Sequence, residues 1–142
     1  MRTWIIVLTL LIGTQAIAQP RKDRIREARI DFMKKKLALT PEEEKAFIPL
    51  YSDMLDELDS LRRQFKHEVD LRDVDLTFMT DKECETLIQN IEIFRTQELA
   101  ITQRYSEQFK KVLPIKKVAM IYKAEFEFRR ELVERLREGR GR

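Results

Sequence analysis

Three glycines, one cysteine and one histidine are all that 142 residues provide of these types. So few glycines leave little material for a turn-rich β fold and favour long helices. Cys84 alone excludes an internal disulfide, so the fold rests on packing within the chain or against a second copy. His67 and Cys84 stand 17 residues apart on different elements, with no glycine-rich elbow near either. A Cys–His nucleophile pair is therefore disfavoured. No phosphate loop, dinucleotide fingerprint or zinc spacing occurs, and the expectation is a protein without catalytic residues.

Metal binding has one local candidate, His67 with Glu68 and Asp70. A surface histidine near a helix end explains it more simply, and "DLRDVD" lacks the Gly and Glu of an EF-hand loop. The reading is no metal and no cofactor. The isoelectric point near 9.0 raises nucleic acid as a partner. The basic residues are interleaved with acids and no recognition motif accompanies them, so nucleic acid is set aside.

What is present is charge, at 37% of residues, alongside 43% apolar residues, too many for a disordered chain. Residues 21–37 hold eight Lys/Arg against three Asp/Glu, and residues 129–142 hold six against three. Between them, 38–128 holds thirteen against nineteen. Basic ends on an acidic middle suit solvated helix faces, pairing of subunits, or attraction to anionic surfaces. The only long apolar run is "WIIVLTLLI", after Arg2 and before "AIA" at 16–18. Gly13, Thr14 and Gln15 interrupt it, which favours a cleaved export signal over residues 1–18 against a retained anchor. The mature chain, 19–142, is expected to be one domain.

Helical periodicity fills that domain. A first helix is expected over about 22–37. "LALTPEEEKAF" follows, and "TFMTDKECETL" repeats it loosely forty residues later. In each copy a threonine, Thr40 or Thr80, precedes a glutamate three residues on, Glu43 or Glu83. That is a capping box, with Pro41 suited to the first helical position. The second helix carries Phe47, Tyr51, Met54, Leu58, Leu61 and Phe65 as a heptad seam, bends at Pro49 and fades near His67. After a connector over 67–79, the third carries Leu87, Ile91, Phe94, Glu98, Ile101, Tyr105, Gln108 and Val112. Pro114 ends it and opens a fourth, whose last four residues should fray. Glu125 can pair with Arg129 four residues on, or Arg129 with Glu98. Cys84, in the first turn of its helix, reads as a small half-buried residue or an intersubunit thiol.

Leu39-Thr40-x-x-Glu43 and Met79-Thr80-x-x-Glu83, with the apolar N-terminal run and the helical pattern, resemble the Spy/CpxP-like periplasmic family and its paired LTxxQ motifs. Residues 112–132 also resemble the C-terminal helix of relatives in the Bacteroidetes group. Both motif glutamines are Glu here, and the second leucine is Met79. The resemblance implies an all-α, elongated four-helix hairpin pairing into a cradle-shaped homodimer. It implies an ATP-independent chaperone-like role in envelope stress, with unfolded or misfolded periplasmic proteins as partners. The alternative it carries is a stress or heavy-metal sensor acting on a membrane-bound signalling protein. Off-seam apolar residues Ile48, Leu55, Ile93 and Leu99 are the expected client-binding set, since a soluble chain rarely exposes such residues without use.

Overall fold

Both threonines start helices by the expected chemistry. In a computed structural model, which describes residues 20–72 and 74–140, Thr40 is extended and its Oγ1 accepts from the Glu43 amide at 3.2 Å. Glu43 Oε2 in turn accepts from the Thr40 amide at 2.9 Å. Thr80 and Glu83 repeat the reciprocal pair at 3.3 and 2.8 Å. Each box satisfies amides that a helix start leaves without partners. The expected export signal, 1–18, lies outside the described residues.

The described residues are all-helical, without a strand. The helices are α1 (Pro20–Leu37), α2 (Pro41–Gln64), the single turn α3 (Lys66–Val69), α4 (Asp81–Val112) and α5 (Ile115–Arg140). A 3-10 turn, Leu76–Phe78, sits in the connector, and the Asp75 carboxylate accepts from the Thr77 amide there. α2 runs unbroken through Pro49. α5 is helical through Arg140, and the last two of the four residues expected to fray lie outside the described residues.

α1 ends by a device the composition hides. Ala38 has φ 45°, the left-handed conformation usually given to glycine at a helix end. Its carbonyl accepts from Lys117 Nζ at 2.9 Å, and the same ammonium reaches Glu43 Oε2 at 2.5 Å. One lysine on α5 therefore joins the end of α1 to the capping box of α2.

α2 and α4 pair antiparallel: Phe47 meets Phe109 at 5.0 Å between ring centres, and Phe65 meets Phe94 at 5.8 Å. α1 and α5 pair antiparallel too, with Phe32 against Phe128 at 5.5 Å. The main core lies where the two pairs meet. Met33 and Leu37 of α1, Phe47, Tyr51, Met54, Leu55 and Leu58 of α2, and Phe109 of α4 enter it. Leu113, Val118, Ile121 and Ala124 close it. A second cluster, Leu61, Phe65 and Phe94 with Val69 and Ile101, packs the α2–α4 hairpin farther out with the help of α3.

All six seam residues of α2 are buried, as their spacing predicts. On α4 none of the eight expected seam residues is exposed, but the seam is drawn too narrow. Phe94 is the only member of its expected seam that is buried, while Ser106 and Phe109 are buried without having been assigned to it. The outer half of α4 packs on α2 and the single turn α3. Its inner half packs on both α2 and α5, and the buried stripe widens to serve both.

Candidate functional site

A cleft of about 310 Å³ opens where α1, α2, α4 and α5 come together. Its apolar lining is Met54 and Leu58 of α2, Ile121 of α5, and Leu99 of α4. The first three belong to the core, whereas Leu99 is 56% exposed. Tyr122 stands with Leu99 at the cleft, 59% exposed, and its hydroxyl donates to Ser106 Oγ at 3.1 Å. Arg29, Arg62, Arg95 and Arg129 line the same cleft with Glu98, Thr102 and Glu125.

The charges are unevenly matched. Arg29 grips Glu125 with two nitrogens, Nε at 3.1 Å and a closer Nη2. The hydroxyl of Tyr51, a side chain with no exposed surface, donates to the same carboxylate. Burial raises the Tyr51 phenol above its ordinary value, with Glu125 adding to the rise and Arg29 opposing it. Burial disfavours the Arg29 cation, yet Tyr51 and Glu125 outweigh it and hold the guanidinium charged. Glu98 takes Arg62 at 3.4 Å and Arg95 at 3.2 Å. Among the described residues Arg129 has no ion-pair partner, which corrects the expected pairing with Glu125 or Glu98. The cleft thus presents one uncompensated guanidinium beside apolar surface. Such a place suits an apolar segment that carries a carboxylate, or the C-terminus of a chain.

The expected client-binding set does not form one surface. Leu55 is 4% exposed and belongs to the core, so it is not available to a partner as the fold stands. Its position one residue beyond Met54 suggested an outward direction, but α2 is covered on more than one side. Ile48 is half-buried against the same core. Ile93 is exposed beside Gln89, Glu92, Thr96 and Gln97, away from the cleft, whereas Leu99 lines it. Tyr122 and Arg129 were not selected as binding residues from sequence. The signal that points to Tyr122 is a second apolar stripe on α5, beside the one that packs.

The two motifs occupy different surroundings. Glu43 is held by Lys117 and by the Thr40 amide, and both lower its carboxyl below the ordinary range. Glu83 is lowered by Thr80 alone, first through the backbone amide. Leu39 packs against the main core, whereas Met79 is a half-buried helix cap. Cys84 is a half-buried free thiol in the first turn of α4. Among the described residues, no three His, Cys, Asp or Glu side chains converge to hold a metal ion. Asp70 bonds Arg72, backbone and side chain, rather than turning toward His67. Compared with known proteins, the chain matches no family model, no curated protein and no solved structure.

Proposed function

We propose that this protein is a periplasmic, ATP-independent chaperone-like protein of the envelope stress response, holding partly unfolded chains in the four-arginine cleft. The observation that carries the reading is the cleft itself. Leu99 and Tyr122 offer apolar surface to solvent within reach of charges that are only partly matched. Weak apolar contact with adjustable charge suits many clients without locking any one of them. The paired capping motifs and the apolar N-terminal run support the same reading through the resemblance to Spy/CpxP-like proteins. In this reading the elongated four-helix hairpin pairs with a second copy into a cradle, and the two clefts face a shared client.

A second reading has its own observation. Leu71, Leu76 and Phe78 stand exposed on the connector, Phe78 at 86%. A short apolar loop of this kind suits one dedicated partner, as a sensor acting on a membrane-bound signalling protein requires.

The test is aggregation of chemically denatured client proteins with the chain present in near-equal amount and no ATP. Suppression is expected, weakened by Leu99→Ser and by Tyr122→Ser with helicity unchanged. Failure to suppress with several clients, together with capture of one membrane protein that Phe78→Ser abolishes, would favour the sensor.

A further inference from the structure

α5 carries an apolar stripe that the fold leaves uncovered. Ile115, Tyr122, Phe126, Val133 and Leu136 recur at steps of seven, four, seven and three residues, which places them on one helix face. All five are between 42% and 66% exposed. The helix has 26 residues, so the stripe runs along an element about 39 Å long. Beside it runs a second row at intervals of seven: Lys116, Lys123, Arg130 and Arg137, each basic and each exposed. Lys123 and Arg130 touch Glu127 and Glu134 only at 3.9 Å. The helical positions of those glutamates lie on the far side of the basic row from the stripe.

We propose that this face of α5 is a docking surface for an anionic phospholipid bilayer. Apolar side chains would enter the headgroup boundary while the adjacent ammonium and guanidinium groups meet lipid phosphates. An amphipathic helix with such a basic margin binds in the interface plane through buried apolar area plus attraction to anionic lipid.

The charge row argues against a second copy on this face. Laid antiparallel, two stripes bring the same basic rows together. Laid parallel, each row meets the positions of Val118, Glu125 and Leu132, which the protein already uses in its own packing. An acidic partner helix matches the charge, but helix recognition of that kind uses a groove. Only Tyr122 of the stripe lines the cleft described above, and the other four side chains stand exposed along the helix. An exposed helix face of this kind fits a deformable plane.

Flotation of residues 19–142 with vesicles tests this. Among the described residues the buried core runs from Met33 to Ala124, on helices that all lie within this fragment. Flotation is expected with vesicles of equal phosphatidylglycerol and phosphatidylcholine, not with phosphatidylcholine alone, and it should weaken in about 0.5 M NaCl. Lys123→Gln and Arg130→Gln should each lower the partition coefficient about fivefold. Lys45→Gln and Lys82→Gln, on other helices, should not. Trp4 is the chain's only tryptophan and is absent from this fragment, so Phe126→Trp gives a single reporter. Its emission should shift to the blue on binding. Equal flotation with both vesicle types overturns the proposal, as does flotation without any shift of that reporter. Retention of an acidic amphipathic peptide by a protein that ignores vesicles would make the face a protein-docking site instead.

Discussion

Ala38 shows how a single residue can be strained by the position it occupies. An L-residue in the left-handed region costs about 1–2 kcal/mol, a cost that glycine largely avoids. Ala38→Gly is therefore expected to stabilise the fold by about 0.5–1 kcal/mol in urea melts. A loss of stability would mean that the Lys117 contact to its carbonyl depends on the alanine. The caps predict the opposite sign. Thr40→Ala and Thr80→Ala should each cost about 0.5–2 kcal/mol. Thr40 should be the costlier, because its box also holds Lys117. Equal costs would place the Lys117 link outside the energetics of the first motif. At the cleft, Tyr51→Phe keeps the ring packing and removes a hydrogen bond to a charged acceptor, a loss of about 1.5–3 kcal/mol. Of these features, the caps were legible in the sequence because a capping box is local. Ala38 gave no stop signal, since alanine is the best helix former. Tyr51 and Arg29 lie 74 and 96 residues from Glu125, beyond any local pattern.

Among the elements, α2 and α4 differ in how far their periodicity can be trusted. The α2 seam is buried throughout because α4 follows it along its length and α1 and α5 cover its first part. α4 changes neighbours midway, so a single heptad line drawn through it leaves out Phe109, which touches Phe47, Tyr51 and Tyr105. Phe109→Ala is expected to cost about 3–5 kcal/mol. Gln108→Ala, at a position the seam had assigned inward, should lie within about 0.5 kcal/mol of the parent. Chemical denaturation of the two variants separates the patterns, and similar costs would contradict the widened stripe. Leu55 teaches the same point on α2. A helix packed on two sides buries residues that a one-seam reading turns outward.

At the scale of the whole molecule, ion pairs between helices make stability depend on acid. Arg104 lowers the Glu57 carboxyl, Lys36 lowers Glu127, and Lys117 with the Thr40 amide lowers Glu43. A carboxyl depressed in the fold contributes stability above its unfolded value, about 4.3 for Glu, and loses it as pH falls through the folded value. The melting temperature should therefore fall as pH drops from about 5 to about 3. Glu43→Gln should make that fall shallower, and an unchanged slope would remove Glu43 from the account. The all-helical class and the two helix starts were readable from glycine scarcity, periodicity and capping. The cleft was not, because four helices distant in sequence build it and its charges pair across them. The most direct test of its proposed role is photocrosslinking to a denatured client, with a benzophenone side chain placed at Leu99 or at Ile93. Both positions are exposed on α4, but only Leu99 lines the cleft. The account predicts strong client adducts from Leu99 and weak ones from Ile93. Equal adducts from both positions, or stronger ones from Ile93, would contradict it.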